Sequence, residues 1–313
     1  MIRSLMIRSL SLLLLFLGSG SVIVAQSSTP RLELLVLGSG GPGAAGRAAS
    51  SYLVFIDGLP RILVDAGPGS FARLGEAQVS LANTDTVLLT HLHIDHAGEL
   101  PGLFKARAVS VAGPIVFNVW GPGGSAAQHQ DAYFPSTSQL MRLLFGPKGA
   151  YAYLADFSSP MTIHAHDIPA PLKNAAPRQI LNRDDLSVTA IAGHHGDAPS
   201  VIYRIEHAGR SVTFSGDIDA AGLPALRRIA KATDLLVFNS VVLDPPGSPA
   251  ILYSLHTPPR AIGELARDAG VRGMLLSHVS PAVDANRDAV LESIHSSYAG
   301  TVNFAKDGLR IQP

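Results

Sequence analysis

Between residues 90 and 98 the chain reads Thr-His-Leu-His-Ile-Asp-His-Ala-Gly, placing four metal-ligating side chains, His91, His93, Asp95 and His96, within six positions. Imidazole nitrogen and carboxylate oxygen are the ligands of zinc and of other first-row divalent ions. The run before them, Thr86 to Leu89, is apolar and reads as a strand. Side chains alternate along a strand, so His91 and His93 point to the same side where it ends. Asp95 and His96 follow in the turn before a helix and present two further ligands from a second direction. Four ligands disposed in this way suit two ions sharing a site better than one closed zinc.

Residue types that are absent narrow the chemistry further. The sequence holds twelve histidines and no cysteine, which excludes thiolate zinc sites, iron-sulfur clusters and a cysteine nucleophile. No G-x-S-x-G occurs, so a serine hydrolase elbow is absent too. Two further patterns mimic sites without the right context. Gly38-x-Gly40-x-x-Gly43 matches a dinucleotide fingerprint, but it contains Pro42 and leads into the strand-like Ser51 to Ile56 rather than a helix, so it reads as a turn near the active site. His164-Ala165-His166-Asp167 repeats part of the first motif without its fourth ligand and reads as an exposed strand edge.

The elements that must position these residues are short apolar runs broken by glycine and proline. Leu32 to Leu37, Ser51 to Ile56, Arg61 to Asp65 and Thr86 to Thr90 read as strands in the first half. Ser187 to Ala192, Val201 to Glu206, Ser211 to Ser215, Asp234 to Asn239 and Gly273 to Ser277 read as strands in the second. Helical patterns fall at Phe71 to Ala77, Leu100 to Ala108, Leu223 to Ala232, Pro258 to Ala269 and Asp284 to Ser297. Strands followed by helices in both halves predict an α/β protein in which two mixed sheets pack face to face with helices outside, a four-layer αββα sandwich. Seven aromatics between Trp120 and Phe157 could form a lid over the site or ordinary core packing.

Composition bounds the setting. The chain has 313 residues, 47% hydrophobic and 15% charged, enough to bury a full core and unlike a disordered chain. Basic and acidic residues both number 24, so long polyanions are not expected as partners. Residues 1–25, with Arg3, Arg8 and the apolar run Leu10 to Leu17, read as a signal peptide cleaved before Gln26. That places the product in the periplasm or outside the cell, with residues 26–313 as one domain and no stable membrane span after cleavage.

His91, His93, Asp95 and His96 match H-x-H-x-D-H, and on this motif the chain resembles the metallo-β-lactamase superfamily. Gly193-His194-His195-Gly196, Phe214-Ser215-Gly216-Asp217 and Leu276-Ser277-His278-Val279 resemble its later motifs, in the family's order. The resemblance implies one ion on His91, His93 and His195, a second on Asp95, His96 and His278, and Asp217 bridging both. His195 is preferred to His194 as the third ligand. Zinc is the default for this set, with iron or manganese fitting the same ligands. The bridging aspartate, the Gly38 to Gly43 turn, Leu63 to Gly67 and Leu255-His256-Thr257 resemble the branch holding ribonuclease Z and cysteine-free arylsulfatases. By that resemblance His256 protonates the leaving group, and Asp95 orients or deprotonates a water bridging the ions.

His195 and Asp217 are only 22 positions apart, and the long tRNA-gripping arm of ribonuclease Z is missing from that interval. The expectation is therefore an exported binuclear hydrolase of a small phosphodiester or aryl sulfate ester. Its partner would be that small molecule, with nucleic acid not expected and a homodimer left open. The alternatives are an acyl hydrolase of the same fold, acting on a lactone or thioester, a ribonuclease Z-like 3'-tRNA endonuclease, and a metal-dependent binding protein. The export reading is checked by N-terminal sequencing of the purified product: it should begin at or near Gln26, and a cytosolic product beginning at Met1 would overturn it.

Overall fold

The computed structural model describes residues 31–43, 45–126, 133–169 and 176–313. The export signal expected over residues 1–25 and its cleavage site lie outside these. In chain order the first strands are β1 (Leu32–Gly38), β2 (Ser51–Ile56), β3 (Leu59–Ala66), β4 (Thr86–Leu88), β5 (Ile115–Pro122), β6 (Ser125–Ala126), β7 (Tyr133–Phe134) and β8 (Met161–Ile168). They are followed by β9 (Arg178–Arg183), β10 (Leu186–Ala192), β11 (Val201–His207), β12 (Arg210–Phe214), β13 (Leu235–Asn239), β14 (Gly273–Ser277), β15 (Thr301–Phe304) and β16 (Arg310–Ile311). Two seven-stranded sheets result, ordered β16-β1-β2-β3-β4-β5-β8 and β15-β14-β13-β12-β11-β10-β9, with β6 and β7 forming a separate pair.

Why the sheets must be covered on both faces is written in β1. Leu34 and Val36 face the other sheet, packing in one core with Val188, Tyr203, Phe214 and Val237, whereas Leu35 and Leu37 point outward into a second core with Leu100, Leu103 and Phe104. Both parities of the strand are apolar, so a partner layer is needed on each side. The outer layer on the first sheet includes α1 (Ser70–Glu76), α2 (Ile94–Ala97), α3 (Leu100–Ser110) and α4 (Thr137–Phe145). On the second sheet α5 (Leu223–Ile229), α6 (Pro259–Ala269), α7 (Pro281–Ala285) and α8 (Arg287–His295) bury Leu226, Ile262, Leu265 and Ile294 against Ile202, Leu236 and Leu276. This is the expected αββα sandwich.

Several details depart from the sequence reading. The single helix expected from Asp284 to Ser297 breaks at Asn286, whose φ of −127° and ψ of 34° end α7 and begin α8. Its Nδ2 donates to the carbonyl of Ala282, so its side chain takes the place of a helical bond. Of the aromatic segment, Phe145 belongs to the core, stacked on Phe104 at 5.0 Å, while Tyr153 and Phe157 lie on the surface beside Lys105. The His164 segment is β8, the edge strand of its sheet, as read, and His164 is exposed. No helix among the described residues is long and apolar enough to cross a membrane.

Candidate metal centre

The candidate ligands lie beyond the ends of strands, two of them on the short helix that follows β4. Beyond β4 the chain continues through His91 and His93 and turns into α2, which carries Asp95 and His96. From the second sheet come His195 after β10, Asp217 after β12 and His278 after β14. His256 follows a 3-10 turn at Ala250–Ser254. Two backbone features permit the approach. Gly216 has φ +56°, and a Cβ there would fall 2.6 Å from the Cβ of Thr90. A Cβ on Gly41 would fall 2.4 Å from the ring of His278, so the glycine turn at residues 38–43 lies against that histidine.

The side chains converge on one oxygen. Asp217 Oδ2 is 3.9 Å from His91 Nε2, 3.8 Å from His96 Nε2, 3.8 Å from His195 Nε2, 3.5 Å from His278 Nε2 and 4.0 Å from His256 Nδ1. Asp95 Oδ2 lies 3.1 Å from His278 Nε2 and 3.7 Å from His96 Nε2. Ligand atoms of His91, His93 and His195 come together in one set, and those of Asp95, His96 and His278 in another, the two groupings the family resemblance implies. His91, His96 and Asp217 form a third set, and His195, Asp217 and His256 a fourth. His256 therefore stands within reach of the same carboxylate as the candidate ligands. His194 turns away: its Nδ1 bonds Asp219 Oδ2 at 2.7 Å and its ring is half exposed.

Groups behind the ligands fix their orientation. Asp65, ending β3, accepts from Thr90 N at 2.7 Å and Thr90 Oγ1 at 2.8 Å, and its Oδ2 lies 2.7 Å from His96 Nδ1. His195 Nδ1 donates to the Leu255 carbonyl at 2.8 Å. Both contacts leave Nε2 facing the centre. Asn239, ending β13, donates from Nδ2 to Asp217 Oδ1 at 2.7 Å and leaves Oδ2 for the histidines. Asp65 had a signal in the Leu63 to Gly67 segment. Asn239 had none beyond its place at a strand end, and the Leu255 carbonyl is invisible to any reading of residue types.

Burial dominates the electrostatics. It holds the proton affinities of His91 and His93 below the ordinary histidine value, helped by neighbouring imidazoles, and pushes His256 down to about 4. Burial also opposes His96, but the carboxylates of Asp65, Asp217 and Asp95 outweigh it and lift His96 to about 9. For Asp217, burial favours the neutral acid, yet His278, His96, His91 and His195 hold its carboxyl well below the usual range. Asp95 is also lowered, because the His278 hydrogen bond and the His96 charge overcome desolvation.

These nitrogens fit cations. The buried atoms His91 Nε2, His96 Nε2 and His256 Nδ1, all facing Asp217 Oδ2, have no hydrogen-bond partner. An unsatisfied buried polar atom costs about 1 to 3 kcal/mol, so such a cluster is a donor set shaped for a bound ion. Without metal, His96 holds its proton above its ordinary value of 6.5, up to about 9. The stabilisation this gives is complete below pH 6.5 and disappears as the pH rises through 9. Thermal melts of chelator-treated protein should therefore show a falling midpoint across that window. Asp65→Asn should flatten the fall, and metal-loaded protein should lack it, because a ligating imidazole is neutral.

A family model described as a beta-lactamase superfamily domain matches residues 60–279. Ribonuclease Z of Mycobacterium avium (strain 104) is 28% identical over 289 residues, covering 90% of this chain and 98% of the relative. Among solved structures, the metallo-beta-lactamase fold protein YhfI from Bacillus subtilis superposes with a TM-score of 0.66 at 20% identity, covering 91% of this chain and 100% of that one. The short form of human tRNase Z gives 0.67 at 18% identity, covering 89% and 98%. These findings correct two expectations, that the substrate is a small phosphodiester or aryl sulfate and that nucleic acid is not a partner. The missing arm was a poor guide, since a match spanning 98% of a relative named ribonuclease Z leaves no room there for a long arm that this chain lacks. Neutral net charge was a poor guide too, since it averages over a surface and does not measure the field at a cleft. With the family model matching residues 60–279, and with the sandwich and the histidine-aspartate cluster at its strand ends, the chain belongs to the beta-lactamase superfamily of metal-dependent hydrolases.

Proposed function

We infer that the protein is a metal-dependent endonuclease that hydrolyses a phosphodiester bond in RNA, in the manner of ribonuclease Z. The observation that carries the hydrolytic part is the single carboxylate oxygen of Asp217 standing between two sets of ligand atoms. The RNA part is supported by the relatives named ribonuclease Z, which this chain spans almost from end to end. His91, His93 and His195 would hold one divalent cation, Asp95, His96 and His278 a second, and Asp217 would serve both. Such cations supply Lewis acidity to phosphoryl oxygens and acidify water.

The chain's own groups then divide the remaining work. Asn239 holds Asp217 Oδ1, so that Oδ2 keeps its place among the histidines. Asp95, ionised at neutral pH, is placed to accept a proton from the attacking water. His256 is neutral in the resting protein, its Nδ1 buried and without a partner. A phosphodiester anion beside it raises its affinity for a proton, which Nδ1 can then hold for the departing ribose oxygen.

Purified protein supplied with zinc or manganese should cleave end-labelled RNA, including a tRNA with a 3' extension, and cleavage should stop on chelation. Failure to cleave any RNA with either metal overturns the reading. Asp217→Ala should lose metal and activity together for every substrate. His256→Ala should keep its metal and lose about 100-fold or more in kcat on RNA, while bis(p-nitrophenyl) phosphate, whose leaving group needs no proton, is affected far less. Loss of metal from His256→Ala would instead make this residue a ligand, consistent with its grouping with His195 and Asp217.

A further inference from the structure

Most of the centre is enclosed. His91, Asp95, His96, His195, Asp217, His256 and His278 are buried, and His93 is the one proposed ligand that is only partly so. One side on which the centre is reached is therefore that of His93. The ring standing there is Phe134, with its centroid 6.2 Å from that of His93 and the planes inclined by 44°. Phe134 lies on β7, where it pairs with Ser125 of β6, and it is itself only partly buried.

Away from His93, Phe134 lines an open cleft of about 480 Å3 beside α4. The polar groups of this cleft are not all used by the fold. Asp167 accepts from Ser138 N at 2.8 Å and Ser138 Oγ at 2.6 Å. Gln139 Oε1 accepts from Ser136 N at 2.8 Å, which completes the cap of α4 and leaves its amide nitrogen available. Arg142 is exposed and has no ion-pair partner among the described residues. An aromatic face, an uncommitted guanidinium and a side-chain amide thus share one cleft that opens beside the metal centre.

We propose that this cleft is a nucleotide subsite, holding the residue next to the scissile phosphate of an RNA strand with its base on Phe134 and its outer phosphate on Arg142. The proposal rests on the RNA-cleaving reading above. Each base has a π-face, so stacking on phenylalanine binds without reading sequence, and the planar guanidinium fork matches phosphate oxygens. A small ester lacks the second phosphate and gains only part of this, so the subsite favours a strand over an isolated diester.

The test uses metal-loaded protein and short fluorescent oligoribonucleotides, intact or abasic at the position on either side of the cleaved bond. Phe134→Ala should raise KM about tenfold on intact RNA, and Phe134→Trp should restore it. On the strand abasic at the contacted position, Phe134→Ala and the unaltered protein should have the same KM. Arg142→Gln, an exposed change on a helix, should also raise KM about tenfold and reduce the salt dependence by about one phosphate contact. Metal content should be unchanged in all variants. A Phe134→Ala loss that persists on the abasic strand, or that accompanies metal loss, would reduce the ring to packing against His93 and overturn the subsite. So would KM values for Phe134→Ala and Arg142→Gln indistinguishable from the parent on RNA that the parent cleaves. A parent that cleaves no RNA overturns the RNA reading itself, a separate outcome.

Discussion

One oxygen, Asp217 Oδ2, lies between 3.5 and 4.0 Å from nitrogens of five histidines drawn from both halves of the chain. A buried carboxylate costs several kcal/mol in lost hydration unless charge or hydrogen bonds replace the water. Here the replacement is mutual. The histidines hold Asp217 ionised, Asn239 takes its other oxygen, and Asp65 and the Leu255 carbonyl hold the outer nitrogens of His96 and His195. Removing any one of these leaves a buried polar group without its partner, which is why the cluster behaves as one unit rather than as seven separable side chains.

The sandwich delivers that unit by joining its sheets next to the ligands. Val201 N of β11 donates to the Thr90 carbonyl at 2.7 Å, and Tyr203 Oη donates to the Leu89 carbonyl at 3.0 Å, immediately before His91. Tyr52 Oη donates to Ser277 Oγ at 2.6 Å, immediately before His278, and Val279 N donates to the Ser39 carbonyl at 2.9 Å just after it. Each bond bridges the two sheets, so the ends of β4 and β14 that carry candidate ligands are set by the partner sheet as much as by their own. His278 adopts φ +53°, a conformation uncommon for a residue with a Cβ, and the flanking bonds hold it there.

How much of this was legible in the sequence followed from how local the signal was. The H-x-H-x-D-H run and the three later motifs are contiguous stretches that resemble those of a known family, so His91, His93, Asp95, His96, His195, Asp217 and His278 could be named before any geometry. Strands followed by helices in both halves likewise announced two sheets with helices outside. Interactions across sheets were not legible: nothing near Asn239 says that it faces Asp217, and a backbone carbonyl such as that of Leu255 has no residue type to read. Strands β5 and β9 were missed, and β8 was read only from His164 to Asp167, for another reason. Two of them, β8 and β9, are sheet edges whose exposed positions interrupt the apolar pattern.

Net charge misled because many of the cations are already spent in local ion pairs. Arg73 pairs with Glu76 and Asp307, Arg204 with Glu206, Arg272 with Asp234, and Arg287 with Asp284. Counting 24 basic against 24 acidic residues adds up these local pairs and says nothing of the residues that remain. Around the centre the balance is different. Asp95 and Asp217 are ionised, and two divalent cations held there would carry more positive charge than those two carboxylates cancel. On the RNA reading, the attraction for a phosphodiester therefore arises where cations bind and, a short way off, at Arg142. Recognition concentrated in one opening needs no basic face, and a chain of zero formal charge can carry it.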